Sequence, residues 1–313
     1  MLKKVVLSLL LMTCANISLA ENFPEEPIHI IVYTAPGGLI DVTARKLANI
    51  IQRDLVKVPV VVENKSGAGG VVALNYLSTK PSDGYTIFGF TSSVVSKSIS
   101  AKQEDLLKNL FYLALVAEDY EALITSKKSG LLTLENIKTH ANNSNRPQVW
   151  VGPASGGTDH IFALKVWDQL KLNINWIPYK SGGEAIAALM GGHGSVYVGN
   201  PSDIEGKPDL QIAAVSSPER LKNFSDAPTF KELGYDNLTG ESLWRGFAVQ
   251  KDTPDEVKTK LVDLFSKAVA TQEWKNFAEQ SNFVDLFKSG NEFEQLVMQQ
   301  IDKDKIFLSK TNG

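Results

Sequence analysis

Three short stretches put adjacent glycines where a strand gives way to a helix: "APGGLID" (35–41), "ASGGTDH" (154–160) and "YKSGGEA" (179–185). The first turn of a helix has backbone N–H groups without intrahelical acceptors and about half a positive charge. Glycine lets another molecule approach that backbone closely. One such pair is an ordinary turn between strand and helix. Three in the same context make a site for a small anion, held mainly by backbone dipoles, because Lys180 is the only basic side chain in the three loops.

Each loop also carries an acid: Asp41, Asp159 and Glu184. A carboxylate at a helix start satisfies free N–H groups and complements the dipole. Capping is therefore favoured over ligand contact for these acids. His160 follows the second glycine pair and could reach a ligand or serve structure alone. Ser155, Asp159 and His160 are the residue types of a hydrolytic triad, but near-neighbours at a helix start point in different directions, which disfavours an enzyme. The four histidines (His29, His140, His160, His193) lack HxxxH or HExxH spacing, so no metal is expected. "ENKSGAGG" (63–70) lacks the GK[ST] ending of a phosphate-binding loop, and no cofactor is expected.

The elements around these loops alternate. "IHIIVYT", "VPVVVEN" and "YTIFGFT" read as strands, with helices in "DVTARKLANIIQRDL" and "GGVVALNYLST" between them. The rhythm returns after residue 130 with "PQVWVGP", "INWIPYK", "SVYVGN" and "LQIAAVSS". Strand–helix–strand alternation predicts parallel sheets covered on both faces. "LWRGFAVQ" reads as a further strand, and the tail from Thr253, taken as an N-cap before Pro254, is helical. Two doubly wound α/β lobes with a ligand cleft between them follow, joined near Ala122–Ser126 and Trp244–Val249.

The first twenty residues combine Lys3 and Lys4, an apolar run from Val5 to Met12, and small residues at Ser18 and Ala20. This is the pattern of a secretory signal peptide cut after Ala20, which implies a periplasmic protein. The whole chain has 313 residues and net charge −3. Loss of Lys3 and Lys4 takes the mature charge to about −5. The one cysteine, Cys14, leaves with the leader, so no disulfide, thiol nucleophile or thiolate metal site is expected. An acidic chain without a basic patch is not expected to bind nucleic acid.

Several stretches in order and spacing resemble the Bug/TctC-type receptors of tripartite tricarboxylate transporters. They are "APGGLIDVTARKLA", "VPVVVENKSGAGGVVALNYL", "PSDGYTIF", "SGGTDH", "IPYKSGGEAIAALMGG", "AAVSSPERLKNFSDAPTFKELGY" and "LWRGFAVQKDTP". The resemblance implies a two-lobe, type II periplasmic-binding-protein fold that closes on a small carboxylate. It also implies delivery to a permease with a large and a small membrane subunit. A monomer is expected, with lobe one at 21–124 and 246–313 and lobe two at 125–245. The proximal carboxylate would meet Pro36, Gly37, Gly38, Leu39, Ile40 and Asp41 in lobe one. In lobe two it would meet Ser155, Gly156, Gly157, Thr158 and His160. Thr91, Ser92 and Ser93 and the loop of Tyr179, Gly182 and Gly183 would line the rest. Tyr33, Asn200 and Trp244 are candidates for the distal pocket. Leu39 and Ile40 depart from the small hydroxyl residues usual in the family. The glycine pair of "SGGEA" is similar to citrate-type receptors, so a di- or tricarboxylate is favoured. Presentation of the ligand to a signalling partner remains the alternative.

Overall fold

The computed structural model describes residues 22–311, so the expected signal peptide lies outside the described residues. Strands β1 (Ile28–Val32), β2 (Val60–Asn64), β3 (Thr86–Thr91) and β4 (Leu110–Tyr120) belong to a first sheet. Strands β5 (Ala122–Ser126), β6 (Gln148–Pro153), β7 (Ile174–Tyr179), β8 (Val196–Gly199) and β9 (Leu210–Val215) form a second. β10 (Ser242–Gln250) and β11 (Val284–Lys288) return to the first.

The two sheets share one plan. The first runs β11-β4-β10-β3-β1-β2 and the second β7-β6-β8-β5-β9. β1 is parallel to β2 and β3, and β6 to β7 and β8. In each sheet one antiparallel strand sits beside this parallel core: β10 next to β3, and β5 next to β8. These are the strands that begin where the chain has just crossed between lobes. The crossings fall at Glu121 and Glu241, slightly earlier than the expected boundaries at 124/125 and 245/246. β5 from Ala122 therefore belongs to lobe two, and all of β10 to lobe one.

Helices follow in chain order: α1 (Leu39–Asp54), α2 (Val71–Ser78), α3 (Ser92–Ser100), α4 (Asp105–Lys108), α5 (Leu134–Asn143), α6 (Thr158–Leu170), α7 (Gly182–Met190), α8 (Asp255–Ala270), α9 (Gln272–Gln280) and α10 (Gly290–Thr311). α1 buries Ile40, Ala44, Leu47 and Ile51, one stripe at helical spacing. β1, "IHIIV", is nearly all apolar because both faces of its sheet are covered. One face packs on α1, α8 and α9 around Phe265 and Trp274, and the other on α2, α3 and α10 around Phe90 and Phe293. Lobe two has matching cores around Trp150 and Tyr197. Pro254, not Thr253, is the N-cap of α8, because the helix starts one residue later than the sequence suggests.

α10 closes lobe one. Phe293 packs 5.1 Å from the ring of Tyr112 and 5.2 Å from that of Trp244. Gly246 lies opposite, where a Cβ would come within 2.3 Å of the Phe293 ring. Phe293→Ala is expected to cost about 3–5 kcal/mol, measured by urea unfolding. A loss below about 1 kcal/mol would show that α10 is not part of this core.

Candidate functional site

α1, α6 and α7 begin at the carboxyl ends of β1, β6 and β7, on the side where the lobes meet. Their first turns are built alike. The N-caps are Gly38, Gly157 and Ser181, so the third helical residues are Asp41, His160 and Glu184. Each of these side chains accepts the backbone N–H four residues earlier. Gly37 N–H donates to Asp41 Oδ2 at 2.9 Å, Gly156 N–H to His160 Nδ1 at 3.0 Å, and Lys180 N–H to Glu184 Oε2 at 3.2 Å. The side chain folds back and fixes the loop. The amides of Leu39, Ile40, Gly157, Gly182 and Gly183 have no acceptor among the described residues.

This corrects the expected set of caps. Asp41 and Glu184 take the bracing role, but in lobe two His160 takes it and Asp159 does not. Asp41 is buried beneath its loop, where it also accepts from Arg45 Nε and Asn64 Nδ2. Arg45, then the N–H of Gly37 and Asn64, offset its burial, and the carboxyl lies below its ordinary range. Ile40 is fully buried in the lobe-one core, so only its backbone can serve a ligand, whereas Pro36, Gly37 and Leu39 are exposed.

The lobes touch at a hydroxyl seam. Ser92 Oγ and Thr158 Oγ1 are 2.8 Å apart, Ser93 Oγ donates to Thr158 Oγ1 at 3.2 Å, and Thr158 N–H donates to Ser93 Oγ at 3.3 Å. Thr91 caps α3 through Ser93 N–H and meets Tyr33 Oη at 2.7 Å. Burial pushes the Tyr33 hydroxyl up to about 12. A Cβ on Gly157 would sit 3.5 Å from Ser93 Oγ, so a longer side chain there enters the seam. Tyr179 O accepts from Ala154 N–H at 2.8 Å and ties the third loop to the second. Ser155 lies exposed in its turn.

Two expected pocket residues have other work. Asn200 Nδ2 donates to the carbonyls of Asp119 and Tyr120, which brace the crossing between lobes. Trp244 packs in the lobe-one core with its Nε1 on Gln300, and it also lines a cavity beside the seam. Among the described residues no hydrogen bond joins Ser155 to His160, or His160 to Asp159, so the triad types do not form a relay.

The sequence reading missed several groups. Lys97, inside α3, is half-buried, and its Nζ would lie 3.6 Å from a Cβ on Gly156. Burial lowers its pKa, and no carboxylate offsets that. At the inner end of the seam, Arg245 Nη2 pairs with Asp119 Oδ2 at 3.3 Å, and Ser202 Oγ donates to the same oxygen. Asp203 accepts from Tyr197 Oη at 2.6 Å and from Asn200 N–H at 3.0 Å. Glu121 completes the group, with 0% exposure. A polar cavity of about 280 Å³ lies beside the seam, lined by Thr158 with Ser96, Lys165, Trp244, Glu241 and Asp304. Of its two lysines, Lys165 is paired with Glu241 at 2.7 Å.

Together these features make the seam between the two lobes the candidate site. The chain belongs to the tripartite tricarboxylate transporter family receptors, whose model matches residues 43–312. It is similar to protein BugT of Bordetella pertussis, 31% identical over 248 residues, which are 76% of this chain and 74% of that one. Among solved structures it is similar to a periplasmic transporter at 25% identity, with a TM-score of 0.83 over 93% of this chain and 99% of that one. The fold also matches MatC of Rhodopseudomonas palustris with bound malate, with a TM-score of 0.80 at 20% identity over 91% and 99% of the two chains.

His160 gives a pH test. Burial, then the charge of Lys97, lowers its pKa from 6.5 to about 4. A depressed imidazole favours folding fully above pH 6.5, and that contribution is lost as pH falls toward 4. Asp119 and Asp159, each raised by burial to about 7, act in the opposite sense between pH 7 and their unfolded value of 3.8. The comparison is therefore between wild type and His160→Gln. The stability advantage of wild type in urea is expected to shrink from pH 7 to pH 4.5. An advantage independent of pH would contradict a neutral, bracing His160.

Proposed function

We propose that this chain is a periplasmic receptor that captures a small di- or tricarboxylate by lobe closure. It hands the ligand to a permease made of a large and a small membrane subunit, and it works as a monomer. The observation that carries this reading is the shared build of three braced helix starts at strand ends, one of which, the start of α6, meets Ser92 and Ser93 across the seam. Their free amides are aligned donors for a carboxylate, and Lys97 adds a partly desolvated cation beside the second loop. The Ser92–Ser93–Thr158 bonds give closure a structural basis: a ligand that bridges the lobes favours the closed state by its differential affinity. Family membership and the malate bound to MatC support the same class of ligand, and citrate heads the panel to test.

Thermal-shift and calorimetric screening of the mature protein against succinate, malate, citrate and related acids tests this reading. A true ligand at one hundred times its Kd adds about 2.7 kcal/mol. No response to any carboxylate would sink the reading. Gly157→Asp is expected to weaken binding by roughly tenfold or more, since it places a charged side chain in the seam. Lys180→Ala, at an exposed position, is expected to change affinity little. The reverse result would refute recognition through the backbone.

A further inference from the structure

Gln300 lies on α10, and its amide has partners on two other elements. Trp244 Nε1 on β10 donates to Gln300 Oε1 at 2.9 Å. An indole can only donate, which fixes the amide orientation and turns Nε2 toward α3. There Nε2 donates to the carbonyl of Ser92 at 3.1 Å and lies 3.3 Å from Ser96 Oγ. One turn further along α10, Asp304 accepts from Ser96 Oγ at 2.6 Å and from Gln300 Nε2 at 3.2 Å. Asp304 is only 4% exposed, and Ser96 is fully buried. A carboxylate in such a place needs its donors, so these bonds fix α10 against the first turns of α3.

Those turns are where lobe one meets lobe two. Ser92 Oγ lies 2.8 Å from Thr158 Oγ1, and Ser93 Oγ accepts from Thr158 N–H at 3.3 Å. Thr158 also borders the cavity of about 280 Å³, with Ile161 and Lys165 on the same stripe of α6. Ser96, Gln300 and Asp304 line the cavity from lobe one. Side chains beside a cavity have few packing neighbours on that side. The bonds from Ser92 and Ser93 therefore carry much of what holds the start of α6 against lobe one. Among the described residues, no hydrogen bond joins Gln300 or Asp304 to lobe two directly. Their path to Thr158 runs through α3.

We propose that Gln300 and Asp304 are positioning residues for ligand capture: from outside the cleft they hold the α3 turn at the height where Ser92 and Ser93 meet Thr158, and so set how readily the lobes stay closed. Its effect on affinity rests on the receptor reading above; its effect on the seam does not. The C-terminal helix then does more than cover the lobe-one core. It carries at one end Phe293, which packs in that core, and two turns later the amide and carboxylate that address the seam.

Amide hydrogen exchange on the unliganded mature protein tests the seam without any ligand. Gln300→Met keeps the length of the side chain and removes its donor and acceptor. It is expected to speed exchange in residues 154–160, in the other lobe, by roughly three- to tenfold, the worth of one hydrogen bond. Faster exchange in α3 and α10 with residues 154–160 unchanged would refute the proposal. Urea unfolding shows whether the variant folds. Ser96→Ala, a smaller change that removes the donor to Asp304, is expected to act in the same direction and decides the matter if Gln300→Met does not fold. Calorimetry with succinate, malate and citrate then compares wild type, Gln300→Met, Thr158→Val and the double variant. Each single change is expected to weaken binding, and the double variant to lose no more than the worse single one, because both act through one contact. Additive losses would show that Gln300 does not act through Thr158. If wild type binds none of these acids, the carboxylate reading falls and the exchange result alone decides the positioning role.

Discussion

A helix must begin somewhere, and its first amides then have no partners within it. That constraint organises this receptor. At three helix starts a side chain in the third helical position reaches back and satisfies one amide ahead of the N-cap. The loop is braced, while the amides of Leu39, Ile40, Gly157, Gly182 and Gly183 have no acceptor among the described residues. A site assembled this way can desolvate a carboxylate without burying many fixed cations, which suits a carrier that must release what it binds. The chemistry of the brace varies: Asp41 is ionised and held by Arg45, His160 is neutral, and Glu184 is exposed. The geometry is the common element.

The crossings hold the two lobes together. Each lobe obtains one antiparallel strand directly after a crossing, so the connections run into both sheets and are not loose linkers. Hydrogen bonds among Glu121, Ser216, Gly240 and Glu241 tie the two crossings to each other. Asn200 and Ser202 of lobe two reach back to the end of β4. Under the proposed closure, bending there would change the distance between Thr158 and Ser92 at the seam. Glu121, between β4 and β5, is buried at this crossing with neither carboxylate oxygen hydrogen-bonded.

Much of this was legible in the sequence. Strand–helix alternation and continuous apolar runs such as "IHIIV" gave two parallel-core lobes, and the glycine pairs marked the helix starts. The lobe-two brace was misread because Asp159 was chosen as the nearest acid. Counting from the second glycine would have shown that Asp41 and His160 occupy the same position. Lys97 was missed because it lies inside a helix, and only the packing of α3 against the other lobe brings it to Gly156. Arg245 sits in the apolar strand "LWRGFAV", and nothing local reveals that its partner is Asp119 on β4. Glu121 reads in sequence as an ordinary acid at a strand edge. Its isolation follows from the crossing of two lobes, a long-range event without a local signal.

The central claim is that backbone amides at braced glycine turns hold the ligand's carboxylate. A crystal structure of the mature receptor with its bound ligand tests it most directly. The account predicts carboxylate oxygens about 2.7–3.2 Å from amides in the Gly38–Ile40 and Gly157 turns, with Thr158 closed on Ser92. A carboxylate held only by side-chain cations, with both turns out of reach, would contradict it.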